Sequence, residues 1–507
     1  MFKKISILYA SQLYRAAFPL LLVPLIIGLL GTERYGIVSF FTMLITLMGL
    51  LDAGISGTFV KLIATNKYQL VSFAKVISLF LRVFCGFVFV ACIVAFIFNY
   101  FSLFIVNDWL KTTLSNNETL LCIKLIGIIL ALLYLRSYLQ SFINGMERQD
   151  LIALWGMVYT TCFYGGGYIV LAYYSNSLAA FFKVLLALSV VDVIVTAYCV
   201  YYVMRKHNKQ LEEKDNDNSL CEDDDLSFGK VIKFSLQLSG LSMIWVIASQ
   251  VDKIALSTYT TLTNYTQYQI GGQLSAVILT LVIPLSQILL PRLSALIKEK
   301  NEKQFISLFS YSSIAYVLLL APLVPYMNVF GNELIALWLK NDELGITVNL
   351  YAKWLVSATF FAGIMNFIFI LLYSIGKLKY HFYAYASYSA LTIPLTIIIA
   401  KYFGPHWSSI FYLIHTVLFL LIWGGYCLHK EMGSFVVTLT LLTFFILLLS
   451  TLIFESIKRF SLFSDYKYAY IFGSPLINFV VLSVGVLVLR NFIFQAIAKV
   501  HLKNINI

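Results

Sequence analysis

Charged residues are scarce in this chain of 507 residues. Asp, Glu, Lys and Arg together make up 12% of the sequence, whereas a soluble protein carries roughly a quarter. Hydrophobic residues make up 60%, and the mean hydropathy is +0.86. This shortage of charge excludes an ordinary soluble globular protein and indicates a chain that crosses a membrane several times.

Cysteine is scarce as well, and its placement excludes two kinds of site. Of the seven cysteines, Cys221 lies in an acidic segment and the others lie in apolar segments. No Cys-x-x-Cys pair and no Cys/His cluster occurs in the sequence. We therefore expect neither a disulfide framework nor a zinc site, and no other metal site.

Motifs of common enzymes and ATPases are missing. The sequence contains no G-x-x-x-x-G-K-[ST], no H-E-x-x-H and no G-x-S-x-G. We therefore expect no ATP hydrolysis by the chain itself, no catalytic residue and no cofactor. The net charge of +12 does not indicate a nucleic-acid partner, because the basic residues are spread over short segments between apolar runs.

The sequence has instead a series of long apolar runs. Each approaches or exceeds the roughly 20 residues with which a helix crosses the hydrocarbon core of a bilayer. The hydropathy therefore predicts an all-α polytopic membrane protein with about fourteen transmembrane helices. The predicted spans are 5–30, 36–60, 76–100, 119–141, 151–173, 178–203, 231–256, 265–290, 305–327, 346–373, 380–401, 407–428, 434–456 and 470–495.

One long polar segment, Arg205 to Lys230, interrupts the apolar runs. It begins basic, turns acidic and has little apolar surface to bury, so we expect a cytoplasmic linker. The domains that follow from it are a six-helix lobe over 1–204, the linker over 205–230, a second six-helix lobe over 231–430, and two extra transmembrane helices with a cytoplasmic tail over 431–507.

The two predicted lobes share weak internal similarity. Tyr35 and Tyr265 align at an offset of 230, and the turns Asn144–Asp150 and Ile375–His381 align at an offset of 231. Because six spans separate equivalent points, both halves would have the same orientation. We therefore expect a pseudo-twofold axis along the membrane normal.

The predicted loops differ in their content of Lys and Arg. Twenty of these residues fall on the side of the N-terminus and seven on the other side. The positive-inside rule then places both termini and the linker in the cytoplasm. The basic start before the first apolar run is interpreted as an uncleaved first span, because no Ala-x-Ala site precedes Gly31.

Four stretches resemble a known group of transporters. They are PLIIGLLGTERYG (Pro24–Gly36), LDAGIS (Leu51–Ser56), NGMERQD (Asn144–Asp150), and SQVDKIAL (Ser249–Leu256) with its continuation ILLPRLSAL (Ile288–Leu296). Their order and spacing resemble the multidrug/oligosaccharidyl-lipid/polysaccharide (MOP) exporter superfamily, in its branch of O-antigen and polysaccharide flippases. The chain departs from that pattern at Gln149, where relatives often have an aromatic residue before the Asp.

The resemblance implies a flippase rather than an enzyme. Such a protein moves undecaprenyl-diphosphate-linked oligosaccharide repeat units from the cytoplasmic to the outer leaflet of the bacterial plasma (inner) membrane, by alternating access, for synthesis of O-antigen or capsule. The implied partners are the lipid-linked oligosaccharide, membrane lipids, a polysaccharide polymerase and a chain-length regulator, with H⁺ or Na⁺ as a coupling ion.

Several charged residues fall inside predicted spans, and Arg15 lies deep in the first. A charge at the bilayer centre costs at least about 2.5 kcal/mol, so it persists only beside water or a partner. The basic members outnumber the acidic ones, which predicts a cavity for an anion such as a pyrophosphate. The predicted substrate-binding residues are Arg15, Lys124, Lys183, Arg82 and Lys353.

Each of these residues also has a simpler interpretation. Basic side chains near the ends of spans can reach the lipid headgroups, and this alternative applies to Arg82, Lys124, Arg136, Lys183, Lys253 and Lys353. Lys124 and Lys353 occupy nearly corresponding places in the two halves, which favours the cavity for Lys124. Arg15 is predicted to face the cavity, and the alternative is an ion pair between Arg15 and Asp192.

Polar and acidic residues complete the predicted site. Gln269 and Gln273 share a helix face, as do Ser137 and Ser141. These faces suit sugar hydroxyls that have lost their water, and they equally suit contacts between helices. Ion coupling is predicted at Asp52, Asp192 and Asp252, with capping or packing at helix ends as the alternative for Asp52 and Asp252.

Two other functions remain open at the level of sequence. A drug/cation antiporter of the same superfamily would need an acidic cavity, contrary to the cationic surplus. A membrane-embedded polysaccharide polymerase would need a large outer loop with catalytic groups. The longest outer loops predicted here, 107–118, 330–345 and 457–469, are short.

Overall fold

The structure is a computed structural model that describes residues 2–52, 54–68, 70–212, 228–460 and 467–498. These residues form helices and contain no strand, which confirms the all-α class. The helices are α1 (Phe2–Leu30), α2 (Thr32–Leu51), α3 (Ile55–Asn66), α4 (Leu70–Tyr100), α5 (Ser102–Phe104), α6 (Asn116–Gly145), α7 (Gln149–Thr160), α8 (Gly166–Tyr173), α9 (Leu178–Glu212), α10 (Phe228–Tyr259), α11 (Leu262–Lys298), α12 (Glu302–Leu320), α13 (Leu323–Leu339), α14 (Asp342–Ser374), α15 (Leu378–Phe419), α16 (Gly425–Met432), α17 (Phe435–Phe460) and α18 (Lys467–Ala498). Single π-helical turns occur at Ile105–Trp109, Thr161–Gly165 and Leu420–Gly424.

Long apolar helices dominate the described part of the chain. Ten helical segments there have the length and composition to cross a membrane. One of them, Leu378–Met432, contains two predicted spans joined at Gly404, whose φ of 76° and ψ of −169° are not helical. The described helices also include the remaining predicted spans, so the architecture agrees with about fourteen.

The chain divides into two compact units, residues 1–266 (unit 1) and 267–507 (unit 2). Helix α10 belongs to unit 1, where it packs on α2 and α3.

The predicted domain boundary lies earlier in the chain, at the polar segment 205–230. Helix α9 continues into that segment to Glu212, and α10 begins at Phe228. The helix outlasts the apolar run because Lys, Gln, Leu and Glu are good helix formers. The predicted cytoplasmic tail beyond Ala498 lies outside the described residues.

Aromatic side chains form the core of unit 1. The Tyr138 ring stacks on Phe80 at 4.5 Å and packs on Phe87 at 4.1 Å between ring centroids. Its hydroxyl donates to the carbonyl oxygen of Phe80 at 2.9 Å, so the buried polar group is satisfied. Phe59 packs edge-on against Tyr138 at 5.6 Å. These contacts hold α3, α4 and α6 together.

The second predicted span, 36–60, is not a continuous helix. Helix α2 ends at Leu51, and Gly54 has a φ of 70°, in the left-handed region that glycine adopts without strain. The Asp52 carboxylate accepts hydrogen bonds from the backbone N–H of Ser56 at 3.2 Å and from its hydroxyl at 2.5 Å. The Tyr134 hydroxyl donates to the Leu51 carbonyl at 3.2 Å. Both new helix ends are therefore capped.

The turn between α6 and α7, which contains NGMERQD, is held by charge. Lys67 Nζ lies 2.7 Å from Glu147 Oε1, and the Lys67 carbonyl oxygen lies 2.5 Å from His207 Nε2 of α9. Burial lowers the pKa of Lys67, but the hydrogen bond and the charge of Glu147 outweigh it, and the pKa lies above its ordinary value. Arg148 pairs with Asp150 at 3.1 Å. This end of unit 1 is thus joined from three chain segments.

Unit 2 has its own core. The Tyr316 ring stacks on Phe360 at 5.7 Å, and its hydroxyl donates to the Phe360 carbonyl oxygen at 2.7 Å. The last two helices pack on α13: Lys458 pairs with Glu333 at 2.9 Å, and the Tyr326 hydroxyl donates to the Ile471 carbonyl oxygen at 2.8 Å. Helices α17 and α18 are therefore anchored to unit 2.

We predict that Gly36→Val destabilises unit 1. A Cβ at position 36 would lie 2.5 Å from Leu262 Cγ and 2.6 Å from Thr266 Oγ1, and overpacking of this kind costs about 1–3 kcal/mol. The measurement is the Tm of the purified protein in detergent. Gly49→Val is the matched control on the same helix, because a Cβ there has no heavy atom within 4 Å. Equal Tm values for the two variants would contradict the packing at Gly36.

We also predict that Asp52→Ala lowers the Tm and that Asp52→Asn retains most of it. Alanine removes the acceptor for Ser56, and loss of such a cap costs about 0.5–2 kcal/mol. The asparagine oxygen can still accept. A drop in Tm of the same size for both substitutions would show that the negative charge, and not the cap, stabilises this break.

Candidate functional site

Three charged side chains from different helices of unit 1 meet inside the helical bundle. They are Arg15 on α1, Arg136 on α6 and Asp192 on α9. Arg136 Nε lies 2.8 Å from Asp192 Oδ2, and Arg15 is within electrostatic range of both groups. We call these three residues, with Trp155 and Tyr159 of α7, the Arg15 cluster.

The cluster lies along the helices that carry it and not at their ends. At 1.5 Å per residue, Arg136 is about 13 Å from the end of α6 at Gly145. Trp155 is about 9 Å from the start of α7 at Gln149. Arg136 therefore lies more than two helical turns from the nearer end of α6.

Asp192 is the most buried group of the cluster, with no exposed side-chain surface. The Trp155 indole N–H donates to its Oδ1 at 2.7 Å, and Arg136 neutralises its charge. The Arg136 guanidinium carbon lies 4.4 Å from the centroid of the Tyr159 ring, a favourable cation–π distance. Its side chain is only 12% exposed. Arg136 therefore turns inward to Asp192 and does not reach for the headgroups, which was the alternative drawn from the sequence.

Arg15 is the exposed cation of the cluster. Its side chain crosses α7 at Gly156, where a Cβ would lie 3.1 Å from its Nη1 atom. Helix α1 is held against α7 by the Ser11 hydroxyl, which donates to the Ala153 carbonyl oxygen at 3.0 Å. Within the described ranges, no carboxylate lies within ion-pair distance of Arg15. The suggested Arg15–Asp192 pair is thus replaced by an Arg136–Asp192 pair.

The charges of the cluster do not balance. Two guanidinium groups face one carboxylate, so the local net charge is about +1. The paired arginine is buried and the unpaired one is accessible. Such an arrangement can attract an anion, and a guanidinium offers two parallel N–H donors to phosphate oxygens.

The other cations predicted for unit 1 lie outside the cluster. Lys183 is nine residues before Asp192 on α9, and so points to the opposite face. It shares an exposed stripe with Val190 and Ile194, which are 41% and 62% exposed. That apolar stripe favours contact with lipid for Lys183.

Arg82 and Lys124 lie on similar stripes. Arg82 on α4 aligns with Phe89, which is 68% exposed. Lys124 on α6 aligns with Leu121 and Ile128, which are 38% and 41% exposed. Both charged side chains are exposed. The tertiary structure therefore does not bring the cations counted in the sequence into one site.

Unit 2 contains the predicted glutamines and Lys353. Gly271 of α11 packs directly on Ala352 of α14, with a distance of 3.1 Å from a hypothetical Cβ to the Ala352 nitrogen. Lys353 is half-buried, and its Nζ lies 5.3 Å from the centroid of the Trp354 ring. Gln269 is buried, and the Oε1 atom of Gln273 is a buried oxygen without a hydrogen-bond partner among the described residues. These side chains lie on α11 and α14, which approach each other closely at Gly271 and Ala352.

The predicted serines are less available than the sequence indicates. The Ser137 and Ser141 hydroxyls donate to carbonyl oxygens of their own helix, those of Tyr134 at 2.8 Å and Tyr138 at 2.6 Å. Ser141 is buried, and Ser137 is exposed. Ser141 thus contributes to the packing of α6.

The three predicted coupling acids lie in different surroundings. Asp52 is half-buried and caps α3. Asp252 is buried, 3.5 Å from Lys253 Nζ, and Lys253 also donates to the Ser249 carbonyl oxygen at 2.8 Å. Asp192 alone lies beside two arginines. The structure brings together one predicted cation and one predicted acid, Arg15 and Asp192.

Sequence reasoning assigned no site role to Arg136, Trp155, Tyr159 and Gly156. A signal for two of them exists: Arg136 and Tyr159 are almost equally distant in sequence from the turn residue Glu147. Residues equally distant from a turn lie side by side in a pair of antiparallel helices. Applied to α6 and α7, that rule would have placed the aromatic ring against the arginine.

Comparisons with known proteins agree with this architecture. A family model described as "Polysaccharide biosynthesis protein" matches residues 1–297, and no curated protein matches the chain. Among solved structures, the chain is similar to the lipid II flippase MurJ in an inward closed conformation, with 15% identity, a TM-score of 0.72, and coverage of 97% of this chain and 100% of that one. It is also similar to a multidrug resistance MATE family transporter of the MOP superfamily, inward-facing, with 13% identity, a TM-score of 0.60, and coverage of 82% and 93%.

The structural matches show the fold, and the family model shows the family. Residues 1–297 make up more than half of the 507 residues and include every helix that contributes to the Arg15 cluster. The chain therefore belongs to the polysaccharide biosynthesis protein family and has the fold of transporters of the MOP superfamily.

Proposed function

We propose that the protein is a flippase for a lipid-linked oligosaccharide. Its substrate would be a repeat unit on undecaprenyl diphosphate, moved from the cytoplasmic to the outer leaflet of the bacterial plasma membrane for synthesis of O-antigen or capsule. The observation that carries the proposal is the unbalanced positive charge of the Arg15 cluster, deep in a protein of the polysaccharide biosynthesis family.

Arg15 would bind the pyrophosphate of the substrate. It is the accessible guanidinium of the cluster, and its planar fork matches phosphate oxygens. A cation inside a membrane span is costly without a counter-charge, so an anionic head group would gain most of its affinity here. Because Asp192 already balances Arg136, the net attraction comes from Arg15.

The sugars need a different kind of contact. A hydroxyl that leaves water loses free energy unless it finds a hydrogen-bond partner. Gln269 and Gln273 of unit 2 carry amide groups that donate and accept; Gln269 is buried and Gln273 is half-buried. We propose that these side chains, with Lys353 on α14, are the groups of unit 2 that contact sugar hydroxyls during transport, separately from the phosphate contact at Arg15.

Transport would proceed by alternating access while the polyprenyl tail remains in the lipid. A membrane potential that is negative inside favours outward movement of an anion by about 2.3 kcal/mol per charge per 100 mV. Coupling to H⁺ or Na⁺ would involve Asp192, since it is the one of the three predicted acids that belongs to the cluster. The distribution of Lys and Arg supports cytoplasmic termini. A polysaccharide polymerase and a chain-length regulator are the proposed protein partners.

A drug/cation antiporter is the alternative within the same fold, because MATE transporters share it. The cluster argues against it, since a net positive site repels a cationic drug. An anionic substrate fits the same charges without rearrangement.

We expect Arg15→Ala to abolish surface polysaccharide and to leave the amount of protein in the membrane unchanged. Arg15→Lys should retain part of the activity, because it keeps the charge but loses the two-pronged geometry. Arg205→Gln is the control for removal of one positive charge, since Arg205 is exposed near the end of α9 and, among the described residues, its side chain donates one hydrogen bond, to the Tyr201 hydroxyl. The measurements are surface polysaccharide and membrane abundance in a strain that lacks the native gene.

Accumulation of lipid-linked repeat units in the inner leaflet should accompany the loss in Arg15→Ala. Full polysaccharide synthesis by that variant would remove the main support for this function.

Imposed gradients should separate the possible driving forces. In vesicles that contain the purified protein, we expect an inside-negative potential to accelerate outward flipping of the anionic lipid. Separate pH and Na⁺ gradients test for a coupling ion. If the flipping rate under the potential, the pH gradient and the Na⁺ gradient equals the rate without any gradient, coupling is refuted. Flipping would then be driven by the substrate concentration alone.

A further inference from the structure

Both carboxylate oxygens of Asp192 have a close polar neighbour in the described structure, one through a hydrogen bond and the other through an ion contact that lacks hydrogen-bond geometry. Its Oδ1 atom accepts from the Trp155 indole at 2.7 Å, and its Oδ2 atom lies 2.8 Å from Arg136 Nε. The side chain has no exposed surface. A group so enclosed is unsuited to direct contact with a large head group, so any influence on the substrate would pass through its neighbours.

Asp192 neutralises the charge of one neighbouring arginine, Arg136, and not that of the other, Arg15. Arg136 is largely buried and pairs with the carboxylate, whereas Arg15 is exposed and has no carboxylate within ion-pair distance among the described residues. In the low dielectric of a helical bundle, one unit of charge changes the attraction for a nearby anion strongly. The carboxylate therefore lowers the local charge from about +2 to about +1.

A carrier needs a site that is neither too weak nor too strong. The substrate must bind well enough to enter and weakly enough to leave on the other side, as in ion channels. A pyrophosphate diester carries two negative charges, and a site of two unbalanced arginines would neutralise it fully and release it slowly.

Resting on the proposed function, we infer that Asp192 is a positioning residue that sets the strength of the phosphate site at Arg15. It occupies Arg136 and leaves one arginine for the diphosphate. Trp155 fixes the carboxylate in this role by holding Oδ1, and Tyr159 holds the Arg136 guanidinium on the other side.

The first test is Asp192→Asn. The amide has the same size and can still accept from Trp155, but Arg136 loses its counter-charge. We expect the Kd for inorganic pyrophosphate, measured by calorimetry on the full chain in detergent at low salt, to fall about tenfold. In vesicles, we expect the KM for the lipid-linked substrate and the kcat of flipping to fall together, because tighter binding slows release.

The second test restores the charge by another route. Arg136→Gln alone leaves Asp192 unbalanced beside Arg15, so the Kd should rise. Combined with Asp192→Asn, it returns the net charge to about +1, and both Kd and kcat should move back towards the wild-type values. A purely structural role predicts the reverse, since the double variant loses the ion pair and the cation–π contact together.

The outcomes separate this inference from the proposed function. If Arg15→Ala loses pyrophosphate binding but Asp192→Asn leaves the Kd unchanged or higher, the role of Asp192 is refuted and the flippase proposal stands. If Arg15→Ala binds pyrophosphate as the wild type does, the anion site itself is refuted.

Folding of each variant is checked by gel filtration. If Asp192→Asn does not fold, the test uses Arg136→Gln alone. A Kd of this variant for inorganic pyrophosphate that is equal to or lower than the wild-type value would refute the inference. Asp192→Glu, which keeps the charge, should retain a Kd closer to wild type than Asp192→Asn does.

Discussion

The ion pair between Arg136 and Asp192 is the interaction on which the candidate site depends. A fully buried carboxylate is stable only if a cation and a hydrogen-bond donor both reach it, and Arg136 and Trp155 do so at 2.8 Å and 2.7 Å. Because these partners come from α6 and α7 while Asp192 lies on α9, the pair also joins three helices. Breaking the pair would leave an uncompensated charge in the bundle, so the pair stabilises the packing of these helices. Because the pair occupies Arg136, Arg15 is the arginine of the cluster that remains accessible.

The geometry around that pair depends on small residues as much as on charged ones. Gly156 leaves room for the Arg15 side chain to cross α7, and the aromatic core around Tyr138 holds α6 in register with α3 and α4. The same logic applies at the break between α2 and α3, where Gly54 and Asp52 permit and cap a change of direction. The candidate site therefore rests on packing that fixes which face of each helix points inward.

The charged residues counted in the spans do not meet in one place in the described structure. Lys183 and Arg82 lie on stripes with exposed apolar residues such as Ile194 and Phe89, as expected for side chains that reach lipid headgroups. Arg136 is the reverse case. Its position near the predicted end of a span suggested a contact with lipid headgroups, but in the structure it pairs with Asp192. A side chain's depth and its direction around the helix are separate quantities, and hydropathy reports only the first.

The sequence by itself determined the membrane class, the all-α fold and the approximate positions of the spans, since each follows from the local need of about 20 apolar residues to cross a bilayer. It also supplied the motifs by which the chain resembles its superfamily, and it singled out Arg15 as a charge that requires an explanation. Only the tertiary structure decided that Arg136 and not Arg15 neutralises Asp192, and that Gly156 makes space beside them. The physical reason is that ion pairing depends on the rotation of each helix about its axis and on the choice of neighbours, which packing sets over long distances in sequence.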